Sequence, residues 1–196
     1  MVRFSPMIKW VLAPNGAIVA GASDRYRFEV RHPQGQVLIV ERHWEPISIQ
    51  ADEREWSRLS AMASLRRAQP GWTWDGAEIP RTKPAFEAFI AAHSGEIWIV
   101  RPGPGIKDPE CDDKHDPDDW PYYSRNYRCW RDQPLIDVFD AEGVYLGDLE
   151  VPEGIVLNSI APPHIRGDTV VAALYEPDGV IRVKRYRIAP PYGDDR

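Results

Sequence analysis

Two cysteines, five histidines and a shortage of basic residues set the first limits on this 196-residue chain. Lys and Arg number 24 against 30 Asp and Glu, giving a formal net charge of −6. A phosphate backbone needs a basic surface to bind, so nucleic acid is excluded as a partner, and an anionic membrane surface is disfavoured for the same reason. No apolar run approaches the roughly 20 residues of a membrane-spanning helix. Near the start, Pro14, Asn15 and Gly16 cut off the short apolar run after Trp10. A signal-peptide core needs roughly 7–15 apolar residues, so a strand, a turn and a returning strand are expected there. Gly-x-Ser-x-Gly elbow, P-loop and dinucleotide fingerprint are all missing, and no cofactor is implied.

The two cysteines, Cys111 and Cys129, enclose 17 residues of a single segment. Joined, they would staple that loop, an effect of about 3 kcal/mol in the chain-entropy picture. A bond of that kind would favour an oxidising compartment. Two unrelated buried thiols are the alternative. With His115 the pair gives three candidate zinc ligands where a structural site uses four, and no close Cys pair exists, so no metal is expected.

What the chain does have is a repeating pattern of short strands and tight turns. Hydrophobic content of 43% is a globular value, and 19 Pro with 14 Gly indicate many turns. The stretch 83–151 holds two hairpins, one turning at Gly95 and one at Gly143, each flanked by β-branched and aromatic runs. Together they make four consecutive antiparallel strands, the unit of a β-propeller blade. Upstream, 7–13, 17–22, 26–31 and 36–42 make four more, with Tyr26, Phe28 and Val30 alternating against charged residues. Downstream, 158–164, 169–175 and 180–188 make three. The turn glycines Gly16 and Gly35 lie 19 residues apart and Gly143 and Gly167 lie 24 apart, which together match one blade of roughly 40–45 residues. The longer intervals from Gly35 to Gly95 and from Gly95 to Gly143 imply two insertions.

The first insertion, about 51–69, reads as a helix. Asp52, Glu53 and Glu55 come early and Arg58, Arg66 and Arg67 late, complementing the helix dipole. Trp56, Leu59 and Ala63, with Met62 beside them, form one apolar stripe. The second insertion, 103–133, is expected to be an ordered loop. Its acidic run (Asp108, Glu110, Asp112, Asp113, Asp116, Asp118, Asp119) lacks EF-hand order and reads as a solvated, self-repelling segment. Beyond it Trp120, Tyr122, Tyr123, Arg125, Tyr127 and Trp130 are the candidate ligand-binding residues. Trp, Tyr and Arg dominate binding hot spots because they present large rigid area with a polar handle. Packing of the loop against itself is the competing reading.

The segments "KPAFEAFIAAHSGEIWIV", "VFDAEGVYLGDLEVP" and "GVIRVKRYRI", in this order and with a "CW"-ending insertion between the first two, resemble the C-terminal half of bacterial six-bladed β-propeller proteins of the NHL/TolB-like kind. The similarity spans about 26–188. It implies a propeller fold, of which this chain carries about three blades, and an extracytoplasmic (periplasmic or secreted) setting; it implies no catalytic residues. The expectation is therefore an all-β, single partial propeller domain over 1–196, with blades at about 7–49, 84–151 and 157–188. Its expected function is a non-catalytic binding or interaction module for a protein, small-molecule or carbohydrate ligand, able to self-associate through open blade edges. The alternative is a fragment of a propeller hydrolase or lyase whose catalytic residues lie in absent blades.

Overall fold

The computed structural model describes residues 2–109, 111, 129–157, 162–176 and 180–189. In chain order the elements are β1 (Ile8–Leu12), β2 (Ile18–Ala22), β3 (Arg27–Arg31), β4 (Val37–Glu41), α1 (Ala51–Ala68), β5 (Ala88–Ala91), β6 (Ile97–Arg101), β7 (Gly105–Lys107), β8 (Trp130–Asp132), β9 (Leu135–Phe139), β10 (Tyr145–Leu149), β11 (His164–Arg166), β12 (Thr169–Tyr175) and β13 (Ile181–Arg187). The class is all-β with one helical insertion. The chain divides into two compact units, one made of Met1–Ser5, Glu45–Pro84 and Gly103–Gln133, the other of Pro6–Trp44, Ala85–Pro102 and Pro134–Arg196, as far as these are described.

The second unit carries three antiparallel sheets, with strand orders β1-β2-β3-β4, β10-β9-β6-β5 and β11-β12-β13. Its core follows from strand parity, since alternate side chains point to opposite faces of a sheet. Val19, Phe28, Val30 and Val40 of the first sheet meet Phe89, Ile97, Ile99 and Phe139 of the second. The opposite face of the second sheet, through Ile90, Trp98, Val100, Ile136 and Val138, meets Ile165, Val170 and Ala172 of the third. The middle sheet is thus apolar on both faces, which is why its strands read as nearly continuous hydrophobic runs. Aromatic edge-to-face and tilted pairs fill the first layer, with Phe28 and Phe139 ring centroids 5.5 Å apart and Phe86 and Phe89 4.7 Å apart.

The β9–β10 turn shows how local sequence sets register. Asp140 Oδ1 accepts the backbone N–H of Glu142 at 3.0 Å and of Val144 at 2.7 Å. Gly143 follows at φ +80°, and a Cβ there would stand 2.7 Å from Val40 Cγ2. Both the left-handed backbone and the close approach require glycine. Two residues into the edge strand β10 the register shifts between Tyr145 and Gly147, a bulge that the hydrophobic pattern does not reveal.

In the first unit, α1 buries Glu53, Trp56, Ser57, Met62 and Ala63, with Asp52 and Glu53 in its first turn and Arg66 and Arg67 in its last. Trp56 and Ala63 pack on Cys129 and Trp130, with Leu59 at the margin. β7 and β8 form a two-stranded ribbon with Gly105 opposite Asp132 and Lys107 opposite Trp130. The chain leaves that ribbon through the Cys111–Cys129 disulfide, Cα atoms 5.2 Å apart. Glu53 lies in the first turn, as the dipole reading expects, and is in addition 0% exposed with its Oε1 3.0 Å from Lys83 Nζ. Lys83 also donates to the Gly103 carbonyl at 2.9 Å and contacts Asp132 Oδ1. Pairing of Lys83 N–H with Ile47 O and of Ile49 N–H with Arg81 O delivers the lysine to this position. Arg3 completes a neutral quartet, its Nη2 3.9 Å from Asp132 Oδ2.

Candidate functional site

Among the described residues two charge clusters are built around a fully buried side chain, and one of them borders a cleft. In the Lys83 quartet of the first unit the central pair, Lys83 and Glu53, is shut away from solvent, and Gly105 backs onto the Glu53 carboxylate so closely that a Cβ would stand 2.3 Å from Oε2. The other lies in the second unit, where a cleft of about 270 Å³ is lined by Arg25, Tyr26, Glu41, Arg42, His43 and Trp44.

The strand ladder builds this site. The β2–β3 turn is pinned by Ser23, whose Oγ accepts the Met7 N–H at 2.9 Å and whose carbonyl accepts the Ala85 N–H at 2.8 Å. Tyr26 follows directly, and its carbonyl accepts the Arg42 N–H at 3.1 Å, so both side chains leave the sheet side by side. From the middle sheet, Asp137 sits opposite Ile99, and Arg101 two residues further along β6 shares that face.

Asp137 is fully buried, and one of its oxygens carries the whole cluster. Oδ2 accepts the Tyr26 hydroxyl at 2.7 Å and Arg42 Nη1 at 2.7 Å, and lies 3.0 Å from Arg101 Nε. Oδ1 is buried with no hydrogen-bond partner among the described residues. The Arg42 guanidinium stacks on the Tyr145 ring, Cζ 3.8 Å from the centroid, and its side chain remains 35% exposed. Two guanidinium groups against one carboxylate leave one net positive charge beside the cleft. Burial tends to lower the Arg42 pKa, but the Asp137 charge and Tyr145 outweigh it and the net direction is upward.

Burial, reinforced by the Asp137 charge, pushes the Tyr26 phenol well above the ordinary tyrosine value. The folded state therefore keeps a proton that the unfolded chain releases above about pH 10. The stabilisation is fully present below that pH and is lost as pH rises. Denaturation curves from pH 8 to 11.5 should show stability falling by up to about 1.4 kcal/mol per pH unit more steeply in the native protein than in Tyr26→Phe. Parallel curves for the two proteins would show that the phenol is not held neutral.

Of the residues singled out from sequence, Trp120, Tyr122, Tyr123, Arg125 and Tyr127 lie outside the described residues, as does the acidic run apart from Asp108. Trp130 is 2% exposed and belongs to the small core around Trp56 and Cys129. Cys111 and Cys129 are joined. His93 and His164 face each other with ring centroids 5.0 Å apart, and among the described residues no group of three His, Cys, Asp or Glu side chains gathers to hold a metal. No helix among the described residues is long and apolar enough to cross a membrane. The cleft residues escape a sequence reading because Arg25 reads as a turn and Arg42 as the polar end of a strand. The one available signal was Asp137, a lone carboxylate in the apolar run Leu135–Phe139.

No protein-family model matches the sequence, and no curated protein matches it. Among solved structures the chain is similar to the crystal structure of a member of the DUF4221 family from Bacteroides vulgatus, at 8% sequence identity and a TM-score of 0.47. The similarity covers 92% of this chain and 46% of that one, so the chain spans about half the length of that protein.

Proposed function

We propose that this chain is a non-catalytic binding module of β-propeller type, related to the six-bladed NHL/TolB-like proteins, whose cleft at Arg42 takes a carboxylate-bearing ligand. Three antiparallel sheets stacked face to face support the propeller part. The observation that carries the binding part is the Arg42 guanidinium. It is fixed in place by buried Asp137 and by Tyr145, yet keeps a face toward a cleft walled by Trp44. A guanidinium already ordered in its binding geometry loses little entropy on pairing with a carboxylate. The disulfide supports an extracytoplasmic setting. The loop bearing Trp120, Tyr122, Tyr123, Arg125 and Tyr127 is a second recognition surface in this proposal, and self-association through open sheet faces belongs to it as well.

Benzoate and benzamide are suitable probes, since both offer a ring for Trp44 and only one offers a carboxylate. Titration followed by backbone amide shifts should move residues 25, 26 and 41–44 with benzoate at least about tenfold more tightly than with benzamide, the worth of one charge-assisted hydrogen bond. Arg42→Gln should remove that preference and Arg42→Lys should keep part of it. Equal response to the two probes, or shifts confined to other residues, would overturn the assignment.

A further inference from the structure

Among the described residues the outward faces of the two outer sheets are exposed. On the first sheet, Ile8, Trp10 and Leu12 of β1 line up with Ile18 of β2, and Val37 and Ile39 of β4 share that side; all six are exposed, Trp10 at 68%. On the third sheet, Tyr175, Ile181 and Val183 form an apolar patch, Val183 at 74%. Exposed, contiguous apolar surface on this scale marks an interaction site. These two faces lie at opposite ends of the three-sheet stack, so no single chain brings them together.

We propose that the occupant of each is the other, supplied by a second copy of this chain. The first sheet of one protomer packs on the third sheet of its partner, and a two-fold axis repeats the contact, closing a ring of six sheets. Six lies within the four to eight blades over which such rings close. The footprints match: at ordinary strand spacing and rise, each face covers about 300 Å². Four faces then give about 1,200 Å², at the lower bound of a stable specific interface. Charge disfavours one of the alternative pairings. Among the described residues the third-sheet face carries Arg166, Arg185 and Arg187 against Asp168, so two such faces repel each other. The first-sheet face is balanced, with Arg27 and Arg31 matched by Glu41 and Glu29. A two-fold arrangement also closes, whereas unclosed head-to-tail contacts would make filaments.

This inference rests on the propeller part of the proposed function and not on the Arg42 cleft, so the two can fail separately. Light scattering of the purified chain should give the mass of a dimer. Trp10→Lys and Val183→Lys each alter an exposed side chain, so each should stay folded by circular dichroism and each alone should be monomeric. Mixed in equal amounts they should associate one to one more tightly than either variant with itself and more weakly than the native chain, because only one of the two contacts then has both of its faces intact. Ile39→Lys and Tyr175→Lys offer the same test if either first variant misfolds. A monomeric native protein, a polydisperse polymer, or a Val183→Lys protein that still dimerises by itself would each overturn the pairing. A native monomer whose residues 25–44 still respond to benzoate would refute the ring while leaving the binding cleft standing.

Discussion

Lys83→Met is expected to cost the helix-bearing unit about 3–5 kcal/mol, the usual penalty for removing one partner of a buried ion pair. Methionine fills the lysine's volume, so packing changes little and the loss is electrostatic. Glu53, at 0% exposure, would be left with no cation beside it, and the Gly103 carbonyl would lose its donor. Asp132 would retain Arg3 only at 3.9 Å. The segments held by this lysine are the first turn of α1, the stretch before β5, the approach to β7 at Gly103 and the end of β8 at Asp132, so its loss loosens all of them together. Hydrogen exchange at the α1 amides reports on this unit alone, which matters because two units need not unfold in one transition. The double variant Lys83→Met/Glu53→Leu removes the stranded carboxyl group and should recover at least about 1 kcal/mol relative to Lys83→Met, since an apolar pair often replaces a buried ion pair at little cost. A single variant as protected as the native protein, or a double variant worse than the single, would show that the quartet is not the clasp of this unit.

Asp137→Ala is expected to destabilise the three-sheet unit by about 2–4 kcal/mol, somewhat below the full penalty because one of the stranded guanidiniums can turn to water. Arg42, 35% exposed, has that freedom; Arg101 at 21% has less, and the Tyr26 hydroxyl, buried at the layer between the first two sheets, has almost none. Asp137→Asn keeps an acceptor of the same shape without its charge and should fall between native and alanine forms. The amides of β3 and β9 should lose hydrogen-exchange protection, while those of α1, in the other unit, should not. Removal of Asp137 also frees Arg42 to move, so the carboxylate preference of the cleft should weaken in Asp137→Ala even where the protein remains folded. A change under about 1 kcal/mol would mean that the unpartnered Oδ1 already offsets what Oδ2 contributes.

The sequence by itself determined the strands of the first two sheets and the last two of the third. The strand read at 158–164 lies instead at His164–Arg166, where the turn was expected. Tyr26, Phe28 and Val30 alternate with Arg27, Glu29 and Arg31 because one face of β3 is buried and the other is not. Asp140 and Gly143 specify their turn through an Asx hydrogen-bond pair and a positive φ, both local effects that neighbours a few residues away can encode. The helix and its stripe at Trp56 and Ala63 were legible for the same reason, a period of 3.6 written into adjacent residues. Tertiary structure alone decided which charges are buried. Glu53 and Lys83 stand 30 positions apart, and Tyr26 and Asp137 stand 111 apart, so nothing local distinguishes them from the solvated acids and bases beside them. An ion-pair partner is chosen by sheet stacking and register, and those depend on the summed burial of many apolar side chains rather than on any motif. The cleft at Arg42 and the two open sheet faces are consequences of that stacking, and so appear only when the layers are assembled.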